Sequence, residues 1–147
     1  MKQPLKLYLD NSFLNRPFDD YSVLQNKLEA EILFLIIDLI NKNKIILVNS
    51  AIIEYENSLN PFIERQIFVK NLLNKAKVYQ NLDNKILQEA AQIIKKFKIS
   101  PSDALHLACA TITKVDYFIT CDYNLIRKFR GEKPKVISPL EFLKIYK

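Results

Sequence analysis

Apolar and polar positions along this chain fall into two alternating rhythms. Short β-rich runs recur at residues 5–9, 44–48, 77–80, 117–120 and 135–137. The second contains Ile45-Ile46-Leu47-Val48, apolar on both faces, which suits a parallel strand covered from both sides. Between the runs lie longer stretches with helical spacing. Residues 21–41 set Leu24, Leu28, Ile32, Leu35 and Leu39 along one stripe. Residues 83–97 turn Ile86, Ala90, Ile93 and Ile94 to one side, and the helix read over 100–113 is unusually apolar. Helix starts are marked by their chemistry. Ser50 opens a helix to about residue 58, and Asn60-Pro61 reads as N-cap then first-turn proline for a helix over 61–74. Asp83, Ser100-Pro101 and Ser138-Pro139 mark three more starts, and residues 124–129 read as a short helix. Residues 11–20, with Pro17 and Asp19-Asp20, read as irregular. The alternation predicts an α/β fold, a three-layer α/β/α sandwich with a central mostly parallel sheet, in a single domain over residues 1–147.

Composition narrows the chemistry. The chain has 147 residues, enough to bury roughly 70% of its unfolded surface without disulfides. Cys109 and Cys121 match no zinc spacing and sit in apolar settings, which points to reduced, buried thiols and a cytoplasmic protein. The longest apolar run ends at Asp38, too short to span a bilayer, and Met1-Lys2-Gln3-Pro4 shows no secretory signal. A single glycine, Gly131, leaves no phosphate-cradling loop, and a single histidine, His106, excludes a multi-histidine metal site. Any chemistry must come mainly from carboxylates. Lysines and arginines outnumber acids by 22 to 16, a surplus that permits a polyanionic partner.

The acids are placed suggestively. In a sheet of this kind, ligands gather outside the carboxyl ends of the strands. Asp10 follows the first predicted strand and Asp122 follows the fourth. Glu54 and Glu56 lie one to two turns beyond the second, and Asp103 sits in the first turn of an apolar helix. Clustered carboxylates repel one another until a cation joins them. Mg²⁺ and Mn²⁺ take such hard oxygen ligands and lower the pKa of a bound water, chemistry suited to phosphodiester hydrolysis. Each acid also has a purely structural reading. Asp10 could form a turn, Asp103 fits a capping box, Asp122 could cap a short helix, and Glu54 and Glu56 could be solvated.

The ordered set Leu7 to Ser12, Ser50 to Glu56, Ser102 to Ala108 and Tyr117 to Asp122 resembles the PIN-domain family, especially its VapC-like toxins. The resemblance implies a Mg²⁺- or Mn²⁺-dependent endoribonuclease that leaves a 5′-phosphate and a 3′-hydroxyl. It places Asp10, Glu56, Asp103 and Asp122 as catalytic metal ligands, with Glu54 as the fallback for Glu56. Asn11 and Thr120 stand as supporting groups behind those ligands, and His106 as a packing residue. Arg16, Arg127 and Lys128 follow the acids closely enough to contact RNA phosphates, with Lys95, Lys96 and Lys98 a second basic group. The same resemblance implies a homodimer and a small antitoxin partner. The alternatives are a degenerate, non-catalytic module that binds RNA or protein, and a nuclease acting on DNA.

Overall fold

The computed structural model describes residues 3–131 and 133–146; Met1 and Lys2, part of the start read above for a secretory signal, lie outside them. Five strands form one sheet: β1 (Leu5–Leu9), β2 (Ile45–Ser50), β3 (Val78–Gln80), β4 (Tyr117–Ile119) and β5 (Lys135–Ile137). Their order is β3-β2-β1-β4-β5, and every neighbouring pair is parallel. β1 is central, with Leu7 beside Leu47 on one side and Tyr117 on the other. Leu7, Tyr8 and Leu9 are all buried, since alternate side chains of a central strand meet cover on both faces.

Helices fill the connections: α1 (Asn11–Leu14), α2 (Leu24–Asn41), α3 (Ala51–Ser58), α4 (Ile63–Leu73), α5 (Asn84–Phe97), α6 (Pro101–Ile112), α7 (Tyr123–Lys128) and α8 (Pro139–Ile145). The chain moves outward from β1 to β2 to β3, then crosses back to β4 on the other flank of β1. Right-handed crossovers made in opposite directions put α2 on one face and the α5–α6 pair on the other. This is the predicted three-layer sandwich, with a sheet that is parallel throughout.

Four local readings differ from the structure. Residues 11–20 are not irregular: α1 is followed by a turn of 3₁₀ helix over Arg16–Phe18. α2 begins at Leu24 rather than residue 21, because the Asp20 carboxylate accepts the Ser22 N–H and turns the chain there. Its inner face is also rotated from the predicted stripe. Ile32, Leu33, Ile36 and Ile40 are buried together with Glu29, while Leu24, Leu28 and Leu35 are exposed. Asn60 does not cap α4, which starts at Ile63. Its side chain instead accepts the Phe62 N–H and donates to Asn15.

Helix ends must reverse direction with little glycine to help. Asn43, Lys98 and Lys114, which follow α2, α5 and α6, adopt left-handed backbone with φ of 60°, 55° and 58°. After α2 the Lys44 N–H closes back onto the Leu39 carbonyl at 2.9 Å, and after α6 Val115 does the same to Ala110 at 3.2 Å.

Candidate active site at the carboxyl pole of the sheet

The order of the strands reverses between β1 and β4, so a crevice opens at their carboxyl ends. Asp10 and Asp122 leave the sheet at that point. The Asp10 N–H continues the ladder to the Ile119 carbonyl at 3.0 Å, and its side chain is buried at 8% exposure. One carboxylate oxygen accepts the Asn11 N–H at 2.8 Å. The other accepts the Thr120 hydroxyl at 2.7 Å and the Ser12 hydroxyl at 3.2 Å. Thr120 Oγ1 in turn accepts the Asp122 N–H at 3.0 Å, and Ser12 Oγ accepts the Cys121 N–H at 3.1 Å. Two hydroxyls thus stitch the end of β1 to the end of β4 and aim both aspartates into the crevice.

Asp122 is also a cap, as its local sequence suggests: Oδ1 accepts the Asn124 and Leu125 N–H groups of α7. Asp103 sits in the first turn of α6, where the Ser100 hydroxyl accepts its N–H at 3.3 Å. Burial raises the pKa of the Asp103 carboxyl, and the nearby charges of Asp10 and Asp122 raise it further, against opposing effects from Ser100 and His106. Asp103 therefore lies within reach of the charges of both other aspartates at this pole. Among the described residues no lysine or arginine forms an ion pair with any of them.

Glu56, on α3, lies beside this group and is bound on every side. Oε1 accepts from Asn11 Nδ2 at 2.7 Å and lies 2.7 Å from His106 Nε2, while Oε2 accepts the Ser102 hydroxyl. Burial works to raise the Glu56 pKa, but the hydrogen bond and charge of His106, with Ser102 and Asn11, hold it down at about 2. His106 is buried, which opposes its charging, yet Glu56, Asp10 and Asp103 raise its pKa. Its Nδ1 is 2.7 Å from the Tyr8 hydroxyl, itself 2.7 Å from Ser50 Oγ. Ser50 caps α3 through the Ile53 N–H at 3.2 Å. Glu54 lies elsewhere, 3.4 Å from Asn49 Nδ2 and near Tyr79 of β3.

The basic candidates divide. Contrary to the expectation from its position, Arg16 is turned inward. It pairs with the fully buried Glu29 at 2.8 Å and with Asp19 at 2.9 Å. Arg127 and Lys128 are exposed in the last turn of α7, and neither is in an ion pair among the described residues. Arg127 reaches only Asn124 on its own helix. Lys95 and Lys96 close α5, which ends against α7 where Phe97 meets Phe129 at 4.7 Å.

Several residues of the pole carry no signal in the sequence. Ser12 reads as part of a turn, Ser102 as a polar first-turn residue, and Tyr8 as strand filling. Glu29 reads as one more polar helix position, yet it accepts from Arg16 and from the Tyr123 hydroxyl at 3.0 Å, beside Asp122.

Asp10, Asp103 and Asp122 offer hard carboxylate oxygens without a neutralising side chain, which suits an ion that keeps several waters. Among the described residues no group of three or more Asp, Glu, His or Cys side chains is arranged to hold a metal ion in this structure. Glu56 is less free to ligate, because its oxygens already accept three protein hydrogen bonds. No helix among the described residues is long and apolar enough to cross a membrane.

Over residues 7–130 the sequence matches the family model for the PIN domain. No curated protein matches the chain.

Proposed function

This chain belongs to the PIN-domain family, whose fold is of a nuclease type, and we propose that it is a Mg²⁺- or Mn²⁺-dependent endoribonuclease. The observation that carries the reading is the gathering of Asp10, Asp103 and Asp122 at the crevice, where the first and last raise the pKa of Asp103, with no lysine or arginine among the described residues paired to them. Like charges are held this close at a functional site when a cation completes it.

A divalent ion bound there would neutralise the aspartates and acidify a water next to a phosphodiester. The residues of the chain do the rest. Thr120 and Ser12 fix the Asp10 carboxylate so that it does not reorganise when substrate arrives. The cap of α7 fixes one oxygen of Asp122 and leaves the other for the site. The first turn of α6 presents Asp103 where backbone N–H groups favour negative charge. Arg127 and Lys128, exposed on the helix that Asp122 opens, would meet the backbone of a bound strand.

A VapC-like toxin role, with a small antitoxin and a homodimer, is part of the same proposal, as is a single domain over the whole chain. A protein partner is supported by large apolar side chains left exposed on α3, on the turn after it and on α4: Tyr55, Leu59, Phe62, Ile63 and Ile67.

The test is cleavage of a labelled RNA by the purified chain with Mn²⁺ or Mg²⁺, with EDTA, and with Asp10→Asn. Cutting that needs the metal and disappears in the variant supports the nuclease. Salt-sensitive RNA binding that ignores both metal and variant would instead make the chain a non-catalytic binding module. Equal cutting of the matching DNA would broaden the substrate class.

A further inference from the structure

We propose that His106, clamped by Tyr8 and Ser50, is a positioning residue that holds Glu56 as a bridge between the neighbours of two aspartates, and that Glu56 works through this bridge rather than by direct contact with a cation. The inference rests on the nuclease reading of the pole and deepens it.

The bridge follows from counting acceptors. A carboxylate oxygen has two lone pairs, and both of those on Glu56 Oε1 are engaged, by Asn11 Nδ2 and His106 Nε2, each at 2.7 Å. Oε2 holds the Ser102 hydroxyl. Asn11 is the residue after Asp10, and Ser102 is the residue before Asp103. One side chain on α3 therefore ties together the segments that carry two aspartates. His106 is one turn beyond Asp103 on the same helix, so its bond to Glu56 also fixes the roll of α6 about its axis.

The imidazole has no freedom of its own. Nδ1 meets the Tyr8 hydroxyl, which meets Ser50 Oγ, and both residues are fully buried. The Tyr8 ring is stacked on Phe118 at 5.1 Å with 10° between the planes, and the imidazole stands edge-on to it. Burial alone requires that both imidazole nitrogens find partners, so what matters is which partners they are. Here both nitrogens are aligned along one path from the cap of α3 to the acidic pole, and Tyr8 itself lies two residues before Asp10 on β1. Outer groups that orient metal-site carboxylates usually change metal affinity or activity by about tenfold to a hundredfold when removed.

The experiment uses the full chain. Mn²⁺ affinity is measured by calorimetry, and kcat and KM are measured on a labelled RNA, for Tyr8→Phe, Glu56→Gln and the double variant. Tyr8→Phe is expected to weaken Mn²⁺ binding and lower kcat by about tenfold, with KM nearly unchanged. In the Glu56→Gln background the same change should add less than about twofold, since Tyr8 acts through Glu56. His106→Gln, which keeps an amide near the Nε2 position, should retain more activity than His106→Asn. If Tyr8→Phe lowers only the melting temperature, or if its effect multiplies fully with Glu56→Gln, the positioning role is overturned while the nuclease stands. If the wild type neither binds Mn²⁺ nor cuts RNA, the nuclease reading fails and this inference falls with it.

Discussion

Thr120→Val removes one hydroxyl and keeps the shape of a fully buried side chain. Three hydrogen bonds are lost: the donation to Asp10 at 2.7 Å, the acceptance from the Asp122 N–H at 3.0 Å, and a contact with the Ser12 hydroxyl at 3.3 Å that is long enough to add little. The first goes to a carboxylate, a class of bond with a net worth of about 1.5–3 kcal/mol. Asp10 keeps the Asn11 N–H and the Ser12 hydroxyl, so the lower end applies. The second is a neutral bond at a partly buried amide, about 1 kcal/mol. Thr120→Val should therefore destabilise the chain by about 2.5 kcal/mol. At about 2–4 °C per kcal/mol for a domain of this size, its melting point should fall by roughly 5–10 °C. Urea titration of wild type, Thr120→Val and Thr120→Ser measures this directly, with a shift in midpoint at constant slope. Thr120→Ser keeps the hydroxyl and should recover most of the loss. A cost below about 0.5 kcal/mol for valine, or an equal cost for serine, would refute the assignment of the hydroxyl as the stitch between β1 and β4.

Acid should probe the Glu56–His106 pair. Glu56 titrates at about 2 in the folded chain against 4.5 unfolded, so its contribution is complete above about 4.5 and is lost as pH falls toward 2. His106, with a raised pKa, contributes fully below 6.5 and loses that contribution as pH rises through its folded value. Urea midpoints followed against pH should fall on both sides of this window, and Glu56→Gln should flatten the acid limb. Arg16→Met should cost about 3 kcal/mol in denaturation by stranding the buried Glu29, and should leave the salt dependence of RNA binding unchanged. Arg127→Ala and Lys128→Ala should each reduce the slope of log affinity against log salt by about 0.7 with little loss of stability. Lys114→Gly should raise the melting point by about 2 °C, because φ of 58° strains a lysine and suits glycine.

Local rules made much of the fold legible. Ser50, Asp83, Ser100 and Ser138 are all helix caps, each accepting an N–H three residues on, because capping depends on four consecutive residues. Asn60-Pro61 obeys the same grammar and fails, because the Asn60 side chain is drawn to Asn15 across the fold. The order of the acids along the chain was visible, and so was their relation to strand ends. The partners that aim them were not. Thr120 stands 110 residues from Asp10, and His106 stands 98 from Tyr8. Such pairs have no spacing rule, and Tyr8 and Ser12 look ordinary within an apolar strand and a turn. The inner face of α2 misled for a related reason. A buried glutamate satisfied by Arg16 and Tyr123 is indistinguishable, along one helix, from a solvated one.

The central place of β1 has a consequence for how the protein is born. β1 is the middle of the sheet, and β4, the strand that pairs with its other edge, follows β1, β2 and β3 along the chain. Until β4 emerges from the ribosome, that edge of β1 lies open and Asp10 has neither the Thr120 hydroxyl nor its fellow acid Asp122 nearby. A nascent chain that has not yet released β4 therefore carries no assembled acidic pole. The pole forms only once β4 and the residues after it have joined β1, so the topology itself sets the order in which the three aspartates come together.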